Sequence, residues 1–160
     1  MLMSTVNLQI SVTIAHLNNQ LELLAKYWTR FSDAELQQYP GPGRWSRKEL
    51  LGHLVDSAAN NHARFMQAQI AASHPLKLQP YDQEAWVRLA GYQHLPAPEL
   101  LTLWTSYNRL ILHLLAQIPD SAMSTECFTI NHNPVTLRWL IDDYALHLEH
   151  HVRQIIHDEY

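Results

Sequence analysis

Apolar side chains near the start of the chain recur at Ile10, Ile14, Leu17, Leu21, Leu24, Trp28 and Phe31. Steps of four and three draw one stripe down a helix, so this stretch must bury one face against other elements. The same pattern returns three more times, and that repetition constrains the fold. Tyr39-Pro40-Gly41-Pro42-Gly43 ends the first stretch, because two prolines and two glycines in five residues cannot continue a helix. Ser46 and Glu49 have the capping-box spacing, which starts a second helix running to about Ala72.

From His74 to Pro98 four prolines and a glycine make a long connection with one short helical candidate, Gln83 to Leu89. A third helix begins near Pro98 and Glu99, carries Leu100, Leu103, Tyr107, Leu110 and Leu114 on its stripe, and stops at Pro119. Glu126 to Val135 reads as a small extended hairpin around Asn131, His132 and Asn133. A fourth helix runs from about Thr136 to the C-terminus.

Four long amphipathic segments pack most simply as an all-α four-helix bundle, and 160 residues suit a single domain spanning 1–160. With 47% apolar and only 16% charged residues, these segments pack on one another rather than stay solvated. The formal net charge of −4 offers no footprint for phosphate backbones, so nucleic acid is not expected as a partner. No run approaches 18 consecutive apolar residues, which argues against a membrane partner. One cysteine, Cys127, and a start without the pattern of a signal peptide favour a cytoplasmic location.

Histidine is the unusual count, with 11 in the chain, as many as all lysines and arginines together. On the fourth helix the core stripe reads Leu137, Leu140, Tyr144, His147, His151, Ile155, so two imidazoles stand where leucines would pack. A spacing of four stacks them one turn apart, from where both can aim at one ion. His150 lies about 100° round the helix and points away. On the second helix His53 sits among Leu50, Leu54 and Ser57 on the inward stripe. A single core histidine is ordinary, but three facing one seam of a small bundle point to a metal site with an open fourth position.

His53 lies about two turns from the start of its helix and His151 about two turns from the end of its own. Those levels coincide only if the two helices are antiparallel, as in an up-down-down-up arrangement, and the long connection from His74 to Pro98 supplies the crossover.

These residues resemble the DinB/YfiT-like family of metal-dependent enzymes, most closely its YfiT-like branch. Pro40-Gly41-Pro42-Gly43-Arg44-Trp45-Ser46 followed by His53-Leu54-Val55-Asp56-Ser57 resembles its first signature, with the histidine as first ligand. Pro80-Tyr81-Asp82 with Ala85-Trp86 resembles the second, and Leu137-Arg138 through His147-Leu148-Glu149-His150-His151 the third, whose outer histidines bind the ion. Gln154 departs from the pattern, since some relatives place a further histidine there. The resemblance implies a four-helix bundle, one divalent ion such as zinc or nickel, and a homodimer. It also implies a metal-dependent hydrolase, or a thiol S-transferase using bacillithiol, mycothiol or glutathione, or a mycothiol-dependent isomerase.

A three-histidine ion can activate water or bind a thiol as thiolate, so a small-molecule substrate, with or without a low-molecular-weight thiol, is the expected partner. A non-catalytic metal staple between helices, acting in dimerisation, is the alternative from another class. Asp56, one turn from His53, is the candidate base or the acceptor behind a ligand, against a plain solvated carboxylate. Asn60 and Arg64 continue its side of the helix and could orient an anionic substrate, or simply lie on the surface. Tyr81 and Asp82 could line a pocket mouth, or Asp82 could serve only a turn. Trp86, Trp104 and Trp139 read as packing. His16, His62, His74, His94, His113, His132, His150 and His157 read as solvent or loop residues, and Cys127 as an unreactive, half-buried thiol.

Overall fold

The computed structural model describes residues 5–70 and 75–157. Helix α1 (Thr5–Trp28) stops three residues short of its stripe, leaving Phe31 in a turn. Ser32 then caps an unexpected short helix, α2 (Asp33–Gln37). Its hydroxyl accepts from the Glu35 amide while the Glu35 carboxylate accepts from the Ser32 amide, the reciprocal box expected only at Ser46. Helix α3 (Arg47–Ile70) does begin at that Ser46 box, where the Ser46 amide donates to Glu49 Oε2 at 2.9 Å. Its expected end at Ala72 lies outside the described residues.

The long connection is built, not slack. It carries β1 (Leu76–Lys77), α4 (Gln83–Ala90) and a 3-10 turn at Tyr92–His94, with Gly91 at φ +64° closing α4 in the left-handed conformation. After α5 (Ala97–Gln117), β2 (Glu126–Phe128) and β3 (Pro134–Thr136) form the expected hairpin. A third strand was not expected: β1 pairs in parallel with β2, setting Leu76 opposite Cys127. Helix α6 (Leu137–His157) follows at once.

The four long helices pack in a ring, α1 on α6, α6 on α3, α3 on α5 and α5 on α1. Contacts along the seams give their directions. Arg47 reaches the Ile155 carbonyl while Ser57 meets His147, so α3 and α6 are antiparallel. Thr13 bonds Asp142 and Tyr27 packs on His157, so α1 and α6 are parallel. Trp28 donates to the Ala97 carbonyl, so α1 and α5 are antiparallel. The order is up-down-down-up, a bundle with a small sheet appended, and the connection from α3 to α5 makes the crossover.

The core departs from the expected stripe on α5. Leu103 and Leu110 are exposed, while Leu100, Trp104, Ile111 and Leu115 are buried. This helix is apolar over more than half its circumference, so its pattern alone does not set its rotation, and the large Trp104 indole takes the central position. Trp86 and Trp139, expected as packing, are 42% and 45% exposed. Cys127 is fully buried rather than half-buried, and burial pushes its thiol pKa up. No helix among the described residues is long and apolar enough to cross a membrane.

Candidate metal centre

The antiparallel seam of α3 and α6 brings His53, His147 and His151 together. Each offers a ring nitrogen, and these nitrogens all lie within 4.8 Å of one another. His53 Nε2 stands 3.2 Å from His147 Nε2. Tetrahedral ligands at zinc distances are separated by about 3.3 Å, so this pair already has the spacing of two ligands on one ion. His53 is fully buried, whereas His147 and His151 are partly exposed. His150 is exposed and takes no part, its ring lying 5.0 Å from that of His151.

Neighbours hold the two α6 rings by the opposite nitrogen. His151 Nδ1 lies 2.6 Å from Gln154 Oε1, which can only accept, so that nitrogen carries the proton and Nε2 keeps its lone pair. His147 Nδ1 lies 3.4 Å from Ser57 Oγ. His53 Nδ1 is buried without a partner, an unpaired polar atom in an otherwise packed wall. Burial above all, then the neighbouring imidazoles, pushes His53 down to about 3. Burial, His151, His150 and Arg64 bring His147 to about 4. His151 is also lowered, by burial, against the opposing Gln154 bond. All three rings are therefore neutral at pH 7, the state a metal ligand needs, and the donor set fits a divalent ion.

Asp56 is buried, not solvated. The Tyr92 hydroxyl donates to its Oδ1 at 2.6 Å, while Oδ2 is buried without a partner. Burial raises its pKa and the Tyr92 bond lowers it. Tyr92 reaches this position because Gly52 has no side chain: a Cβ there would sit 2.0 Å from the Tyr92 ring. Trp45 stacks on His53 with ring centres 5.0 Å apart and donates to Glu84 Oε2.

A cavity of about 170 Å³ adjoins His147, lined by residues that include Ser57, Asn61, Arg64 and Tyr81. A larger one, about 650 Å³, lies behind Trp45 and Tyr92, and none of the three histidines lines it. Among the described residues no carboxylate or thiol joins the histidines as a fourth ligand.

A protein-family model for the DinB superfamily matches residues 16–155. The chain belongs to the DinB superfamily. A relative from Oceanobacillus iheyensis named "Putative metal-dependent hydrolase" is 25% identical over 93% of this chain and 85% of its own length. A Bacillus mycoides protein of the same name is 28% identical over 71% of this chain, which spans 64% of it. Among solved structures, YfiT from Bacillus subtilis superposes with a TM-score of 0.81 at 22% identity, covering 96% of this chain and 86% of that one. It is described as a probable metal-dependent hydrolase with an unusual four-helix bundle topology. A mycothiol-dependent maleylpyruvate isomerase superposes with a TM-score of 0.74 at 15% identity, covering 96% of this chain and 63% of that one.

Within this DinB bundle the other expected site residues divide. Arg64 and Tyr81 line the cavity beside His147, and burial with nearby Asp56 pushes the Tyr81 hydroxyl up to about 12. Asn60 does not line it; its amide is turned back onto the Asp56 carbonyl, and Asn61 takes the place beside Ser57. Asp82 is exposed and caps α4 through the Ala85 amide, the local role open to any turn aspartate. Trp86 stacks on Tyr81 with centres 4.8 Å apart. His16 and His62 are half-buried, on Glu149 and Tyr107, not free in solvent, and His74 lies outside the described residues. Ser57, Asn61, Tyr92 and Gln154 went unassigned as site residues, although Gly52 inside a helix was a legible sign of close approach.

Proposed function

We propose that this chain is a metal-dependent enzyme acting on a small molecule, with His53, His147 and His151 as ligands of one divalent ion, zinc or nickel. The observation that carries the reading is three neutral imidazoles converging from two helices, with no fourth protein ligand among the described residues and a cavity at His147. A staple between helices would saturate its ion and need no cavity. A divalent ion bound there supplies Lewis acidity, lowering the pKa of water or a thiol and polarising a carbonyl.

The chain's own residues do the rest. Gln154 and Ser57 fix the ring orientations of His151 and His147. Asp56, one turn after His53 with Oδ2 unpaired, is the candidate to take a proton from the attacking water and return it to the leaving group. Hydrolysis is the reaction we propose, in keeping with the names of the relatives. Thiol transfer is the second reading, favoured by the likeness to a mycothiol-dependent enzyme.

Metal analysis after mild purification is expected to find close to one divalent ion per chain. The loaded protein is then given an ester and amide panel without thiol, and monochlorobimane with each of several cellular thiols. Turnover in the first set makes it a hydrolase, and turnover only with thiol makes it a transferase. His147→Ala should abolish either one. Full activity in that variant, or absence of metal with no thermal response to added zinc or nickel, overturns the proposal.

A further inference from the structure

Arg64 is the cation that lines the cavity beside the proposed site. Its guanidinium is half-buried, and burial lowers its pKa from the ordinary value. Among the described residues no carboxylate comes within ion-pair distance of it. Its bonds go to neutral oxygens, to Asn61 Oδ1 at 3.4 Å and to the Gln79 carbonyl at 3.2 Å, both longer than a typical N–H···O bond. A guanidinium has five N–H donors in a planar fork, so most remain available. Asp143, whose charge interacts with Arg64 without forming an ion pair, offsets only part of the cost of taking the cation partly out of water, and an anion supplied by a ligand offsets more of it.

The position of this fork matters as much as its charge. Arg64 and His147 line the same cavity of about 170 Å³. A chain of side chains joins them: Arg64 donates to Asn61, Asn61 Nδ2 donates to Ser57 Oγ at 3.3 Å, and Ser57 Oγ meets His147 Nδ1. Ile130, in the hairpin loop, and the Tyr81 ring also line the cavity and supply apolar and aromatic surface. Asp143, also lining the cavity, is the one acid there, and its presence disfavours a dianion more than a single planar negative charge.

We infer that the substrate of this site is a small carboxylic acid, its carboxylate held in the Arg64 fork and its carbon skeleton lying against Tyr81 and Ile130. This rests on the enzyme reading above, and deepens it by naming what the cavity selects. Bidentate pairing with a carboxylate would orient the remainder of the molecule towards the three imidazoles.

The test is binding, not turnover. Benzoate, benzamide and benzylammonium share one ring and differ in charge, and their dissociation constants are measured by NMR titration on metal-free and on zinc-loaded protein. Benzoate should bind at least about tenfold more tightly than the other two in both forms. Arg64→Met should remove that preference, Arg64→Lys should keep part of it, and Asp143→Asn should strengthen it. Zinc stoichiometry is measured on every variant. If Arg64→Met fails to fold, the Asp143→Asn and Arg64→Lys arms still decide. Equal affinity for benzoate and benzamide, or benzoate binding indifferent to all three substitutions, overturns the inference. If zinc does not bind while benzoate still depends on Arg64, the enzyme reading fails and the carboxylate site stands.

Discussion

Gly52→Ala separates the reasoning from helix propensity, which makes the opposite forecast. In a solvent-facing helix interior the change should stabilise by about 1 kcal/mol. Here the new Cβ would lie 2.0, 2.2 and 2.6 Å from three Tyr92 ring carbons, well inside van der Waals contact. Tyr92 is itself buried and its hydroxyl bonds Asp56, so the ring cannot swing into open space. Overpacking of this kind costs about 1–3 kcal/mol, and losing a hydrogen bond to a carboxylate about 1.5–3 kcal/mol. Set against the propensity gain, the net loss is about 1.5–5 kcal/mol, or a Tm lower by roughly 3–20 °C for a chain of this size. Urea unfolding at pH 7 measures it. In a Tyr92→Ala background, where nothing opposes the methyl group, the same substitution should be neutral or stabilising by about 1 kcal/mol. A Gly52→Ala protein as stable as the parent would refute the account of Tyr92 and with it the placement of Asp56.

Three further outcomes follow from the site and the core. In metal-free protein, His53 and His147 titrate near 3 and 4 against an ordinary 6.5, so the unfolded chain binds more protons between those values and stability falls as pH falls. At pH 5 the loss relative to pH 7 should be about 2 kcal/mol per histidine, read by denaturation, and a flat profile from pH 7 to 5 counts against buried neutral rings. Gln154→Ala, which frees His151 Nδ1, should weaken zinc binding about 10- to 100-fold in a chelator competition with little change in metal-free stability; unchanged affinity removes Gln154 from the site. Trp104→Ala should cost about 3–5 kcal/mol and Trp86→Ala less than about 1 kcal/mol, measured in parallel; similar values would contradict the rotation of α5.

Residue order alone was enough for whatever depends on local geometry. The 3.6-residue period and the box at Ser46 were enough to find all four long helices, and the steps His53-Leu54-Ser57 and Tyr144-His147-His151 were enough to turn three imidazoles inward. Even the antiparallel level of α3 and α6 was legible, because rise per residue converts position along a helix into height. Tertiary structure decided everything that depends on what arrives from elsewhere. His53 and His147 are 94 positions apart, and no periodicity says that their Nε2 atoms meet at 3.2 Å. On α5, too many apolar residues left the rotation open until Trp104 took the centre. Asn61 continues the His53-Ser57 stripe by a further step of four, whereas the reading of Asn60 followed the Asp56 side of α3 about 100° away, and it is Asn61 that lines the cavity. Asp56 stood open between a base or acceptor behind a ligand and a plain solvated carboxylate until Tyr92, carried in by the connection, closed over it. Periodicity describes a surface, whereas burial and pKa belong to the contact between two surfaces, and that contact exists only once the chain has folded.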